Sequence, residues 1–267
     1  MNAAPGKFEG QVSVVIPTWN RAPALCRAVN SVLDQTFAVA EVLVCDDGST
    51  DNSREMVEAI GDPRVRWSEG PRGGRPAIPR NRGIRESRGE WIAFLDDDDV
   101  WLPHKLETQL ALVERYDCKA SCTNAFRVLP GGQPAGTFME GGDVRLTFAE
   151  LLESNRVVCS SALVHRSIMS LAEGFPEDPS MLAIEDYALW LRVATLTDFA
   201  CVSCPSLNYW DDPVNSLRKD GVDVLTQTRR VCSDFIAWAV PRNIPKSFVR
   251  AARKKGVIAQ FKSLIAR

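Results

Sequence analysis

Trp91-Ile92-Ala93-Phe94-Leu95-Asp96-Asp97-Asp98-Asp99 decides the fold: five apolar residues run without a polar break into four aspartates. A short continuous apolar run reads as a strand buried on both faces, as in a parallel sheet covered by helices. Several carboxylates held this close repel one another unless a cation joins them. Oxygen donors suit hard ions such as magnesium or manganese, which bridge a protein carboxylate to substrate phosphates. A solvated acidic turn is the plain alternative, but four acids directly after a buried strand are a costly way to turn.

Upstream, the same pattern repeats. Val12 to Ile16 is a β-branched run stopped by Pro17, and Glu41 to Cys45 is a second run ending in Asp46 and Asp47. Val65 to Trp67 is a brief third strand, followed by a Gly/Pro/Arg loop, Gly70 to Gly74. Helical spacing fills the intervals, over Ala22 to Gln35, Arg54 to Ile60 (with Asp51 as cap), Pro76 to Ser87 and Pro103 to Tyr116. Alternating strands and helices predict an α/β fold, a mostly parallel sheet with flanking helices. Both acid clusters then lie at strand carboxyl ends, where such sheets bind ligands.

The second half is less regular. Lys119 to Val128 and Val157 to Val164 read as strands, Pro130 to Gly142 as a Gly-rich loop, and Glu185 to Ala194 as an amphipathic helix. From Val222 the chain reads as helical, with breaks near Pro241 and Pro245.

Composition narrows the function. The 267 residues carry a formal charge of -2, which argues against a nucleic-acid binder, since those carry a broad basic excess. No run approaches the ~20 apolar residues of a spanning helix. Met1 to Gln11 contains no apolar run, so an export signal is not expected, and the eight cysteines are expected as reduced cytoplasmic thiols. Cys118/Cys122 with Cys201/Cys204 has zinc-like spacing. Because Cys122 and Cys201 sit in apolar strand-like runs, thiols are the better reading. His104 and His165 read as structural. The first strand lacks the Gly-rich turn of a dinucleotide enzyme, and no Walker loop is present. Pro17-Thr18-Trp19 follows instead, an aromatic able to stack on a base, although a lone Trp is more often core.

The runs VSVVIPTWNR (12–21), SVLDQTF (31–37), VLVCDDGSTDNS (42–53), RNRGIRESRGEWIAFLDDDDVW (80–101) and IEDYALWLRV (184–193) closely resemble the family-two glycosyltransferases of GT-A fold. The resemblance spans roughly residues 12–195 in order and spacing. It implies an inverting transfer from a nucleotide-diphosphate sugar, by default a UDP-sugar, to an acceptor hydroxyl. Bacterial surface polysaccharide or glycolipid is the usual product class. It places Trp19 over the donor base beside Pro17 and Thr18, Asp47 on a uracil-type N–H, and Arg75 near base or phosphates. Asp96, Asp97 and Asp98 cover the D-x-D element, with Asp98 and Asp96 as ligands of Mn2+ or Mg2+. Four consecutive aspartates leave that register open by one position. Asp186 is implied as general base and Glu185 as an acceptor-side contact, though acids at a helix N-terminus are also favourable without chemistry. Relatives carry a Tyr-Arg-x-His segment where this chain has Tyr209-Trp210-Asp211-Asp212. A sugar-nucleotide nucleotidyltransferase or a non-catalytic sugar-binding subunit are the rival readings.

The expected organisation is a GT-A domain over residues 10–215 and a C-terminal helical extension over 216–267. From Lys246 to Arg267 there are seven basic residues and no acid. Val257, Ile258, Phe261, Leu264 and Ile265 share one helix face. A basic helix with such a face fits an anionic membrane. It would bring the enzyme to a lipid-linked acceptor at the inner face of the cell membrane. The alternative is that this face packs on the catalytic domain.

Overall fold

A computed structural model describes residues 8, 10–212 and 223–265. Its first half follows the predicted alternation. β1 (Val12–Thr18), α1 (Ala22–Leu33), β2 (Glu41–Asp46), α2 (Ser53–Glu58), β3 (Val65–Ser68), α3 (Ala77–Glu86) and β4 (Trp91–Phe94) follow in turn. Every residue of β1, β2 and β4 is buried, which is why these strands read as unbroken apolar runs. β1 pairs in parallel with β2 on one side and β4 on the other, and β2 with β3. The order β3-β2-β1-β4 thus reverses beside β1. Connections leave such a point in opposite directions, opening a crevice at the strand carboxyl ends. Helix α3 lies close on the sheet through Gly83, where a Cβ would stand 2.4 Å from Val15 Cγ1.

The second half holds β5 (Val100–Trp101), α4 (Lys105–Tyr116), β6 (Ala120–Leu129), β7 (Gln133–Thr137), β8 (Val144–Leu146) and α5 (Phe148–Glu153). Then come β9 (Leu163–His165), α6 (Arg166–Ala172), α7 (Glu185–Ala194), β10 (Phe199–Trp210), α8 (Val224–Ala239) and α9 (Lys246–Ile265). Here the sheet departs from the parallel expectation. β9 runs antiparallel between β4 and β6, β5 and β8 pair antiparallel with β10, and only β6 with β10 is parallel. The architecture is α/β with a mixed sheet.

Two local readings change with it. The strand expected over residues 157–164 shrinks to β9, because Cys159–Ser161 forms a 3-10 turn. The Ser161 hydroxyl donates to Val158 O at 2.7 Å, a local bond that competes with a ladder. The Gly-rich segment expected as loop contains β7, which folds back on β6. Cys122 and Cys201 face each other across β6 and β10 as buried thiols, and Cys204 is exposed.

The domain boundary expected near residue 215, and Val222, lie outside the described residues. Helices α8 and α9 follow, and they extend the main core: Phe235, Trp238, Val249 and Ala252 share one buried cluster with Phe148, Trp190 and Phe94. On α9 the packed residues are Val249, Ala252 and Ala259, whereas Val257, Ile258 and Phe261 are exposed. The alternative that this apolar face covers the catalytic domain is therefore not what the fold shows for those three residues. Nothing is described of the Leu264 and Ile265 side chains.

Candidate active site

An open cleft of about 1720 Å³ runs across the carboxyl ends of β1, β2 and β4. Pro17, Thr18, Trp19, Asp47, Arg75, Asp96, Asp97, Asp98, Glu185 and Asp186 all line it. The sequence-predicted residues, drawn from five segments, are thus brought to one place.

At one end Trp19 stands 45% exposed at the tip of β1. The next residue, Asn20, takes a left-handed turn (φ 53°), and its Oδ1 accepts Thr50 N at 2.7 Å. This ties the tip of β1 to the loop after β2. The adjacent aspartates of that loop divide their work. Asp46 accepts from Gly48 N at 3.1 Å and Ser49 N at 3.0 Å, so it builds the turn. Asp47 faces the cleft and accepts from Gly73 N at 2.7 Å and Gly74 N at 2.9 Å. Arg72, to which no role was assigned from the sequence, pairs with Asp47 and lies 3.8 Å from the centroid of the Trp19 ring. Gly48 permits this crowding: at φ +77° it approaches Arg72 N so closely that a Cβ would sit 2.8 Å away. Arg75 is in the cleft wall with its Nε buried and lacking a hydrogen-bond partner among the described residues.

The four aspartates after β4 point to different partners. Asp96 accepts from Arg80 at 2.6 Å, while its backbone N–H donates to Ser160 Oγ at 3.0 Å. Asp97 accepts the Thr18 hydroxyl at 2.8 Å and lies 3.4 Å from Arg21 Nη1, the same atom that pairs with Asp98. Asp99 is buried and holds the end of β10 by accepting Trp210 N at 2.9 Å, which makes it structural. Burial pushes the Asp97 carboxyl up to about 7; Arg21 opposes that rise, and the charges of Asp98 and Asp96 add to it. Burial and Asp96 likewise raise Asp98.

These residues fit a divalent cation. They offer oxygen donors only, and Asp98 and Asp96 line the open cleft with side chains 37% and 28% exposed, within reach of an ion. Among the described residues no three acidic, cysteine or histidine side chains converge on one point. The protein would therefore supply one or two carboxylates, the number magnesium takes beside substrate phosphates.

The start of α7 supplies a further part of the cleft wall. Ala183 enters it at φ 66°, a strained conformation for a residue with a Cβ. That turn sets Glu185 and Asp186 toward the cleft. Glu185 is buried and accepts from Arg80 at 2.8 Å. Arg80, also unassigned from sequence, thus joins Asp96 of the acid cluster to Glu185. Burial alone would lower its pKa, yet Asp96, Cys159 and Glu185 hold it well above its ordinary value. Asp186 is half-buried, with Oδ1 accepting Tyr187 N at 2.7 Å and Oδ2 lying 3.4 Å from Asn155 Nδ2.

Tyr209, Trp210, Asp211 and Asp212 also line the cleft. Asp211 is held by Arg127, whose Nε is 2.6 Å away. Phe138, Met139, Val144 and Arg156 also line the cleft. They come from the middle of the chain, where no motif pointed to them.

Chemistry confined to the carboxyl ends of one mixed sheet, opposite an acid-tipped helix, is the arrangement of the GT-A transferases. The sequence matches Glycosyl transferase family 2 over residues 13–170, and the chain belongs to that family. It is similar to the UDP-Glc:alpha-D-GlcNAc-diphosphoundecaprenol beta-1,3-glucosyltransferase WfgD of Escherichia coli, 28% identical over 193 residues, covering 72% of this chain and 73% of that protein. A second Escherichia coli glucosyltransferase of the same description, WfaP, is 28% identical over 182 residues, covering 68% of this chain and 69% of WfaP. Among solved structures, S. aureus TarS 1-349 in complex with UDP-GlcNAc shares the fold. Its TM-score is 0.71 at 16% identity, over 93% of this chain and 89% of the 1-349 chain.

Proposed function

We propose that this glycosyltransferase moves a sugar from a UDP-sugar to a hydroxyl of a lipid-linked glycan, with inversion at the anomeric carbon. The carrying observation is the cleft itself, which Trp19, Asp47, Asp96–Asp98 and Asp186 line together. Trp19 offers a face for a uracil ring and Asp47 an acceptor for its N–H. Asp98, with Asp96, would hold Mn2+ or Mg2+ against the diphosphate. Such an ion supplies charge neutralisation of the departing nucleoside diphosphate. Asp186 takes the proton of the acceptor hydroxyl as that oxygen attacks from the face opposite the diphosphate. Glu185, fixed by Arg80, shapes the acceptor side. The names of WfgD and WfaP support both UDP-linked donor and diphosphate-lipid acceptor, and the UDP-GlcNAc complex of TarS fits the donor class. The test is a screen of UDP-sugars with a synthetic diphosphate-lipid-linked sugar as acceptor. NMR of the product should show the anomeric configuration opposite to the donor's; retention would overturn the single-displacement reading.

The acceptor end also suggests where the enzyme works. Among the described residues no helix is long and apolar enough to cross a membrane. Helix α9 instead presents Arg250, Lys254, Val257, Ile258 and Phe261 outward. Lys255 of α9 pairs with Glu153 at 2.5 Å, and Glu153 lines the cleft. A basic, apolar face on the helix that pairs with this cleft residue suits the cytoplasmic leaflet of an anionic membrane. Each basic residue near such a surface contributes on the order of 1 kcal/mol, less in high salt. The protein should therefore float with anionic liposomes at low salt, and Val257→Asp with Phe261→Asp should abolish flotation. Equal flotation of both proteins, or none by the parent, would remove the membrane from the account.

A further inference from the structure

Helix α5 lines two spaces. Glu150 and Glu153 line the cleft of the candidate active site. Phe148, Leu152 and again Glu153 line a second groove of about 560 Å³, which α9 completes. There Phe248, Ala251 and Ile258 keep the lining apolar. Glu153 is the last residue of α5, so cleft and groove adjoin at its side chain. Asn155, two residues on, has Nδ2 3.4 Å from Asp186 Oδ2. Two extended residues span at most ~7 Å, so the groove opens close to the proposed base. We propose that this groove holds the start of the hydrocarbon chain of a lipid-diphosphate acceptor, whose sugar sits in the cleft beside Asp186. This rests on the lipid-linked acceptor proposed above and places its lipid on the protein.

The charges suit this occupant. Both carboxylates of the groove are already partnered, Glu153 by Lys255 at 2.5 Å and Asp198 by Arg145 at 3.7 Å. Lys254 adds an exposed ammonium to the groove lining. Arg156, three residues after Glu153, adds an exposed guanidinium to the adjoining cleft. A diphosphate joining sugar to lipid has to pass this junction, and charge-assisted bonds to phosphate oxygens are strong. The apolar surface then continues outward. Ile258 is exposed where it lines the groove, and Val257 and Phe261 on the same helix are exposed beside it. Phe261 follows Ile258 by three positions, so the two are neighbours on the helix surface. A chain longer than the groove would follow this stripe into a bilayer instead of into water. A membrane phospholipid has no need of the junction at Glu153, whereas the acceptor must occupy both spaces at once.

The test uses the intact protein with saturating UDP and Mn2+. Calorimetry measures binding of ethyl diphosphate, farnesyl diphosphate and farnesol, each below its aggregation concentration. The parent is compared with Ala149→Trp and Ile258→Glu, exposed positions lining the groove from α5 and α9, and thermal melts confirm their folding. Farnesyl diphosphate should bind one-to-one and roughly tenfold more tightly than ethyl diphosphate, through burial of its chain. Each variant should lose most of that advantage, and farnesol should bind more weakly than its diphosphate. Equal binding of the ethyl and farnesyl compounds, an advantage kept in both variants, or farnesol as tight as its diphosphate would overturn the proposal. Transfer separates it from the reading beneath it. A sugar linked through diphosphate to farnesyl should show a lower KM than its ethyl counterpart, with kcat little changed. Use of both with the same KM would overturn the groove and leave the diphosphate-linked acceptor standing. Use of no diphosphate-linked sugar at any chain length would overturn both.

Discussion

Asp186→Asn should bind UDP as the parent protein does and transfer sugar ~100- to 10,000-fold more slowly, the range expected for losing a positioned base. The amide keeps the shape of the carboxylate and can still accept Tyr187 N at the start of α7. It cannot take the acceptor proton. Asp186 stands at the start of α7, on a different element from Trp19 and Asp47, so donor affinity should be unchanged. The loss belongs in kcat, read from initial rates at saturating donor and acceptor. Weaker UDP binding with turnover preserved would make Asp186 a binding residue.

Asp98→Ala has a different signature. Metal-dependent UDP binding and transfer should both disappear, because Asp98 is the more exposed carboxylate of the proposed ligand pair, at 37% against 28% for Asp96. Asp96, the second proposed ligand, already accepts from Arg80 through Oδ1, and Asp97 accepts from Thr18 through Oδ2. The substitution also removes a like charge beside Asp97 and Asp99, both raised in pKa by burial and by their neighbours. Arg21 keeps Asp97 as partner. The variant should therefore unfold at a slightly higher temperature than the parent, as when a strained functional site is relieved. Full activity in the variant, or activity undiminished by excess chelator, would contradict the metal assignment.

The parts legible in the sequence share a physical cause. β1, β2 and β4 are buried on both faces, so they read as unbroken apolar runs, and the acids at their ends stand out by contrast. The second half obeys no such rule. β7 and β8 are short and largely exposed, and β9 is three residues long between β4 and β6. No periodicity builds up over so few residues, and antiparallel insertion leaves no trace in composition.

Buried charge was harder still. Lys105 looks like a solvated helix start, yet it is fully buried, 3.8 Å from the Trp101 ring centroid, and bonded to Gln109 Oε1 at 2.7 Å. Burial holds its pKa well below the ordinary value. Between residues 72 and 88 the chain has six arginines. Nothing in their spacing tells that Arg72 covers Trp19, that Arg80 bridges two acid clusters, or that Arg82 donates to Ser68. Only tertiary partners make that distinction. In α9 the apolar stripe of Val257, Ile258 and Phe261 stays exposed, and the packing falls to Val249 and small residues, with Phe248 against the Phe148 ring. Ala252 and Ala259 are buried, and a Cβ on Gly256 would lie 3.4 Å from Cys232 Cβ.

The central claim is that this cleft holds a uridine diphosphate between Trp19, Asp47 and the Asp96–Asp98 cluster. Calorimetric titration of the intact protein with UDP in the presence of Mn2+ tests it most directly. The account predicts saturable one-to-one binding, lost on chelation and lost in Trp19→Ala. No saturable binding of UDP, or binding equally strong in Trp19→Ala, would contradict it.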